Sequence, residues 1–498
     1  MKRKLVLNSL SSIGLQIFTL ISGLIIPRLI ITAYGSEVNG LVSSITQFIS
    51  YITLIEAGIG GVVRAALYKP LSEKNYLKVG EVLLEAKKYF DKLLIILIFY
   101  VSILIFIYPI FVNGSLGFTF TSSLILIISI STFSQYYFGI TNSILLQADS
   151  KLYVNNFLQI FSILSNTILI ILLIHNNQGI HSVKLVSSIV YTIKPILLLI
   201  YVRKNYPIKD SKSLNSLPLL NQKRSALVHQ IAWFLHYNLN VILLSIFGTL
   251  KQVSVYMVYY MVVGSIVNLI FAFFNSFEPT FGTKIVTEKI EKLQKDFEVY
   301  SVLVCNIVFV VFFTAAAMLI PFIKLYTSGF SDANYINATF GFLLIFAELI
   351  YCLRLPYSTI VTASGKYKET EIGAFVEVCL NIFFSTVLVI KFGLTGVVIG
   401  TLVAMLYRTI YYMYFLSKNI LFLNLNTHIR RNLLIIILLG ISLFFMISNY
   451  SFYNGIVTYY QWIFYSVLHV IISSLIILLI DFIFYKKTIM LIIRRLLK

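Results

Sequence analysis

The stretch "LLQADSKLYVNNFLQIFSILSNTILI" (145–170) lies, at an offset of 215, on "IVTASGKYKETEIGAFVEVCLNIFFS" (360–385). Ala148 meets Ala363, Lys151 meets Lys366, and Asn166 meets Asn381. At an offset of 214, Lys204-Asn205 falls on Lys418-Asn419 and Lys194 on Arg408. Phe90-Asp91 similarly resembles Phe297-Glu298, and Gly35-Ser36 resembles Gly248-Thr249. Each match is weak alone. Their shared order and near-constant offset make an internal repeat, so one plan is used twice along the chain.

Both copies are embedded in long apolar runs. The 498 residues are 59% hydrophobic and only 12% charged, where a soluble domain carries about 25% charge. The runs do not alternate as transmembrane strands do, so they read as helices, which satisfy their own backbone groups in lipid. A span needs about 20 apolar residues. Fourteen runs qualify: 12–33, 40–68, 93–112, 119–145, 154–174, 181–202, 226–247, 254–280, 300–322, 337–361, 372–391, 394–416, 432–449 and 462–484. The expected fold is an all-α polytopic membrane protein of about 14 transmembrane helices. Residues 1–210 and 211–420 form two six-helix lobes, and 421–498 adds two helices and a basic tail. Six is even, so both copies enter the membrane from the same side. That gives a parallel pseudo-twofold repeat, with a substrate path between the lobes.

The charges orient it. With both termini cytoplasmic, 30 of the 39 Lys and Arg fall in inner loops and tails, and only Lys184, Lys251, Lys324 and Lys391 lie outside. This is the positive-inside pattern. The net charge of +20 therefore reports topology and needs no nucleic acid. The chain opens MKRK, like a signal peptide, but the run that follows is long enough to stay as a first helix. "YLKVGEVLLEAKKYF" (76–90) and "KIVTEKIEKLQKDFEVY" (284–300) read as short amphipathic helices at the inner surface. Cys305, Cys352 and Cys379 lack metal-ligand spacing and read as small buried apolar residues. No Gly-rich phosphate loop with Lys and Ser/Thr is present, so transport needs a gradient, the membrane potential or a partner. No resident cofactor is expected; H+, Na+ and the membrane potential all stay open as the driving force.

Charges inside spans are costly, about 2.5–3.5 kcal/mol each, and by default mark function. The cations are Arg28, Arg64, Lys194, Arg354 and Arg408, and the acids include Glu56, Glu278, Glu348 and Glu377. Arg28, Arg64 and Glu278 lie near span ends, where snorkelling to water is an equal alternative. Lys194, Arg354 and Arg408 lie deeper. For these the choice is between a hydrated cationic cavity and structural ion pairs with Glu348, Glu377 or Glu56. Lys194 and Arg408 hold equivalent repeat positions, so a cationic site between the lobes is expected, suited to an anionic substrate. Arg can grip phosphate with two parallel hydrogen bonds. His229, Trp233, His236 and Asn240 share one helical face, fit for a sugar path or for helix–helix hydrogen bonds. Two His at this spacing without carboxylates make a poor metal site.

Residues 7–75 carry Pro27 in the first span, "YGSEVNGL" (34–41) at the outer turn and "EAGIGGVVRAAL" (56–67) in the second span. They resemble the start of bacterial polysaccharide flippases, the O-antigen, capsule and teichoic-acid exporters of the multidrug/oligosaccharidyl-lipid/polysaccharide exporter superfamily. Members often have Asp-x-Gly where this chain has Glu56-Ala57-Gly58. The resemblance implies a non-enzymatic transporter in the bacterial cytoplasmic membrane. It implies an undecaprenyl-pyrophosphate-linked oligosaccharide flipped to the outer leaflet by alternating access. Membrane lipids, a polysaccharide polymerase and other export machinery are the implied partners. Arg28, Arg64, Lys194, Arg354 and Arg408 are then the pyrophosphate candidates. Glu56, Glu348 and Glu377 are candidates for ion coupling or for pairing with those cations. A peptidoglycan lipid-precursor flippase and a multidrug and toxin extrusion antiporter are the alternatives. The second calls for an acid-dominated interior and usually twelve spans. A membrane-embedded glycosyltransferase or polymerase calls for catalytic carboxylates or large outer loops, which the short outer loops here do not offer.

Overall fold

Gly35 sets the first turn. Its φ of 86° and ψ of 167° lie in a region open to glycine, and they kink the chain between two helical runs. The first helix, α1 (Lys2–Ser50), thus includes the expected first span and the start of the second. The computed structural model describes residues 2–53, 59–112, 116–208, 223–448, 453, 455–486 and 490. Glu56 lies outside them.

After α1 come α2 (Ile59–Ser72), α3 (Tyr76–Phe111), α4 (Phe118–Ser134), α5 (Ile140–Ala148), α6 (Leu152–His175), α7 (Ile180–Asn205) and α8 (Lys223–Phe247). They are followed by α9 (Leu250–Phe274), α10 (Glu278–Thr287), α11 (Ile290–Tyr326), α12 (Ala338–Leu353) and α13 (Leu355–Ala363). The chain ends with α14 (Glu371–Phe392), α15 (Leu394–Asn419), α16 (Leu425–Ser448) and α17 (Tyr459–Phe484). The described residues are helical with no strand, and twelve helices are long and apolar enough to cross a membrane. The two fewer than expected have simple causes: α1 merges two runs across Gly35, and α16 is outside that set.

The first expected amphipathic helix is instead the opening of α3. Nothing between Phe90 and Leu93 breaks the helix, and it runs on into the span. The second is split, because Glu288 and Lys289 are extended and separate α10 from α11. Cys305 and Cys352 are buried, but Cys379 is exposed on α14 and corrects the expectation of three buried thiols.

The chain divides into two compact units, Met1–Gln230 with Thr249–Ser254, and Ile231–Gly248 with Val255–Lys498. In unit 1, α1 packs on α6, and α7 on α4 and α6. In unit 2, α15 packs on α12 and α14, and α17 on α11. Local details recur at the repeat offset. Ser150 and Gly365 both take positive φ, 55° and 69°. The lysine that follows each one reaches the far end of a later helix. Lys151 Nζ donates to Tyr206 Oη at 3.1 Å, and Lys366 Nζ to the Asn419 carbonyl at 3.2 Å. A π-helical turn at Gln135–Gly139 in unit 1 answers the break at Arg354, between α12 and α13, in unit 2.

Glycine sets the closest packing. A Cβ on Gly400 would lie 2.2 Å from Ser385 Oγ, and one on Gly396 would lie 2.1 Å from the Leu388 carbonyl oxygen. The sequence Gly396-x-x-x-Gly400 thus brings the backbones of α14 and α15 together, as small residues four apart do in membranes. Gly400→Ala is expected to force the two helices apart and to lower stability by about 1–3 kcal/mol, read by thermal unfolding in detergent.

Candidate functional site

The repeat alignment of Lys194 with Arg408 has a structural counterpart. Both α7 and α15 are 26 residues long. Lys194 and Arg408 each stand about 14 residues, or ~21 Å, past the first residue of their helix. The two surroundings differ. Lys194 is half-buried in unit 1, whereas Arg408 in unit 2 is 1% exposed.

Arg408 is held from three sides. Its Nε lies 3.3 Å from Glu377 Oε2 on α14. Nη1 donates to the Thr370 carbonyl at 3.2 Å, and Nη2 to Tyr412 Oη at 2.9 Å. The guanidinium also lies 4.2 Å from the Tyr412 ring centre. Gly373, one turn before Glu377, makes the space, since a Cβ there would lie 2.5 Å from Arg408 Nη1. The other carboxylate oxygen of Glu377 accepts from Arg354 Nη1 at 2.9 Å. Arg354 sits at the break between α12 and α13, with its guanidinium 4.4 Å from the Tyr351 ring centre. One carboxylate therefore serves two guanidinium groups.

Beside it is a second buried pair. His236 on α8 and Glu348 on α12 are each 2% exposed, with Nε2 and Oε2 3.4 Å apart. Asn240, one turn on from His236, belongs to a neutral knot. It donates to Tyr256 Oη at 3.2 Å and accepts from Thr401 Oγ1 at 3.1 Å. Ser385 Oγ donates to Asn381 Oδ1 at 3.0 Å and is 3.1 Å from the Val397 carbonyl, across the contact that Gly400 permits. Trp233 is half-exposed, with its ring 5.0 Å from Tyr237, and His229 is half-buried. The face expected for a sugar path thus divides between inward His236 and Asn240 and outward Trp233. Among the described residues no group of three or more His, Cys, Asp or Glu could hold a metal ion.

In unit 1, Arg64 on α2 donates to Gln147 Oε1 at 2.8 Å, and Arg28 is half-buried on α1. The turn between α5 and α6 carries a polar knot that sequence reading missed. Asp149 lies 3.2 Å from Lys4 Nζ and 2.9 Å from Lys151 Nζ, and it accepts from Tyr206 Oη at 2.5 Å. A cavity of about 460 Å³ beside it is lined by Lys4, Asn8, Tyr68, Ser72 and Asp149. Burial pushes the Asp149 carboxyl up. The hydrogen bonds from Tyr206, Lys151 and Lys4 outweigh that and hold it below its ordinary 3.8. A carboxyl lowered on folding stabilises fully above the unfolded value, and this is lost as pH falls through the folded value. Asp149→Asn is thus expected to lower the melting temperature at neutral pH. Below pH 3.8 the gap to wild type should shrink, as thermal scans across pH would show.

Sequence reading also missed Asp481, 2% exposed on α17, which accepts from Asn306 Nδ2 at 2.5 Å. An acid inside the last apolar run was the available signal. Close to it in sequence, the Tyr485 ring lies 4.0 Å from the Arg431 guanidinium.

No protein-family model and no curated protein matches the chain. Solved structures do. A lipid II flippase, MurJ, in an inward closed conformation superposes with a TM-score of 0.69 at 15% identity, covering 97% of this chain and 100% of that one. An inward-facing multidrug resistance MATE family transporter of the MOP superfamily gives 0.61 at 15% identity, covering 80% and 94%. A eukaryotic MATE transporter gives 0.56 at 15% identity, covering 86% and 98%. The chain therefore has the fold that these flippases and transporters share. At these identities the likeness defines the fold.

Proposed function

We propose that this protein flips a polyprenyl-pyrophosphate-linked oligosaccharide from the cytoplasmic to the outer leaflet by alternating access. The observation that carries the reading is the Arg354–Glu377–Arg408 cluster, two buried arginines on one carboxylate. Two arginines at membrane depth suit an anionic headgroup and oppose a cationic drug. Glu377 acts as a stand-in anion that holds both guanidinium groups while no substrate is bound. A pyrophosphate offers each of them the bidentate partner that a shared carboxylate cannot. Lys194, at the matching repeat position, and Arg64 and Arg28 supply the cations of unit 1. The sequence resemblance of residues 7–75 to polysaccharide exporters supports the same substrate class. A peptidoglycan lipid precursor is the second reading, favoured by the cover of the whole lipid II flippase chain. Reconstituted vesicles test the class: they should flip a pyrophosphate-linked glycolipid and should not accumulate a cationic dye. The reverse pattern would favour a drug antiporter.

A further inference from the structure

A cavity of about 520 Å³ lies in unit 1 between α3, α4 and α7. Its walls are apolar, with Leu94, Ile98, Val101 and Ile105 from α3 and Leu126 and Phe133 from α4. Ile98 and Leu126 are each half-exposed, so the cavity is a groove open to the lipid around the helices. The four α3 residues follow Lys87 at steps of seven, eleven, fourteen and eighteen, which is one helical face. From Leu94 to Ile105 that face is ~16 Å long, about the hydrocarbon depth of one leaflet. The apolar run of α3 opens at Leu93, so Lys87 stands just outside it, at the membrane surface.

The end of the groove nearest Lys87 is polar. The hydroxyls of Ser134 on α4 and Thr192 on α7 line it, buried and without a hydrogen bond among the described residues. Ser129 and Ser131, on the same helix as Ser134, each bond a carbonyl three residues back. The π-helical turn Gln135–Gly139 begins directly after Ser134 and brings Tyr137 and Phe138 to the groove wall. The Lys87 ammonium lies 5.6 Å from the Tyr137 ring centre.

Two hydrogen bonds fix the levels of these groups. Ser122 Oγ donates to the Ile105 carbonyl at 2.9 Å, and Ser188 Oγ to the Ile127 carbonyl at 2.6 Å. Counting along the helices from these bonds puts Ser134 level with Leu93 and Leu94, and Thr192 about one turn further from Lys87. The order along the groove is therefore a cation, an aromatic ring, two hydroxyls that lack partners, and an apolar wall. A diacyl glycerophospholipid has the complementary order: an anionic phosphate, ester carbonyls that accept hydrogen bonds, and chains of one leaflet's depth. A polyprenyl phosphate has no acceptor beyond its phosphate and leaves both hydroxyls unmet.

We infer that this groove is a binding site for a membrane phospholipid, with its phosphate at Lys87, an ester carbonyl at Ser134 and Thr192, and one acyl chain along Leu94–Ile105. The site lies wholly in unit 1, and it stands or falls independently of the transport reading above.

The test titrates the full chain in detergent with dioleoyl phosphatidylglycerol and reads the bound lipid by native mass spectrometry. Three further probes are compared: the dialkyl ether analogue, which lacks the carbonyls, dioleoylglycerol, which lacks the phosphate, and a polyprenyl phosphate. Wild type should hold one phosphatidylglycerol, and each missing group should weaken binding about tenfold. Ser134→Ala with Thr192→Val should bind the ester and ether lipids equally. Lys87→Gln should lose the preference for phosphatidylglycerol over dioleoylglycerol. Ile98→Trp, at a half-exposed position, should fill the groove and abolish binding, with unchanged melting temperature as the check on folding. The ester and ether comparison on wild type decides the matter even where a variant fails to fold. Equal binding of ester and ether lipids by wild type, displacement of the phospholipid by polyprenyl phosphate, or undiminished binding in folded Ile98→Trp would overturn the proposal.

Discussion

Replacing Glu377 by glutamine is expected to be the most damaging single change in unit 2. Glu377 neutralises one of two buried guanidinium groups, Arg354 at 2.9 Å and Arg408 at 3.3 Å. Its loss takes from both cations the carboxylate that they share, leaving Arg408 its bonds to the Thr370 carbonyl and the Tyr412 hydroxyl and Arg354 its contact with the Tyr351 ring. Removing one partner of a buried ion pair costs about 3–5 kcal/mol, because the other charge stays behind uncompensated. The effect should appear as a large drop in melting temperature and in folded protein recovered from membranes. Glu377→Gln with Arg408→Gln leaves one cation instead of two and should recover part of the loss. No recovery in the double variant would mean that Glu377 acts through packing.

Lys194→Ala with Arg408→Ala is expected to abolish export of the lipid-linked glycan while the protein remains inserted. The logic is the reverse of the Glu377 case. Without Arg408, Arg354 and Glu377 remain as a balanced pair. Lys194 is half-buried and its removal relieves an intramembrane cation. What both changes take away is positive charge at matching positions in α7 and α15. Surface polysaccharide, with protein level measured alongside, reports the outcome. Normal polysaccharide at normal protein level would remove the cationic site from the account.

The fold was legible because hydrophobic run length and repeat offset are both one-dimensional signals. The offset of 214 placed Lys194 and Arg408 in register, and both stand at the same step of 26-residue helices. The helix boundaries were less legible. Gly35 joins two runs across a kink, and α3 extends through a stretch that amphipathicity alone separates from the span. Charge pairing was not legible, because it is decided across helices. Nothing in the sequence tells Glu377 from Glu348 as the partner of Arg354 and Arg408, and the space left by Gly373 is visible only in three dimensions. His236 and Asn240 read as a polar stripe, whereas their partners on α12 and α15 lie more than a hundred residues away. Cys379 shows the same limit in reverse, since an apolar run hides which of its faces points outward.

The most direct measurement compares two glycolipids in the same reconstituted vesicles, with identical tails and sugars, one joined through pyrophosphate and one through an uncharged linkage. Transbilayer movement is read by the access of an external glycosidase. The cationic interior predicts flipping of the pyrophosphate lipid only, lost in Lys194→Ala/Arg408→Ala. Equal movement of the uncharged lipid, or flipping of the pyrophosphate lipid that survives the double substitution, would contradict it.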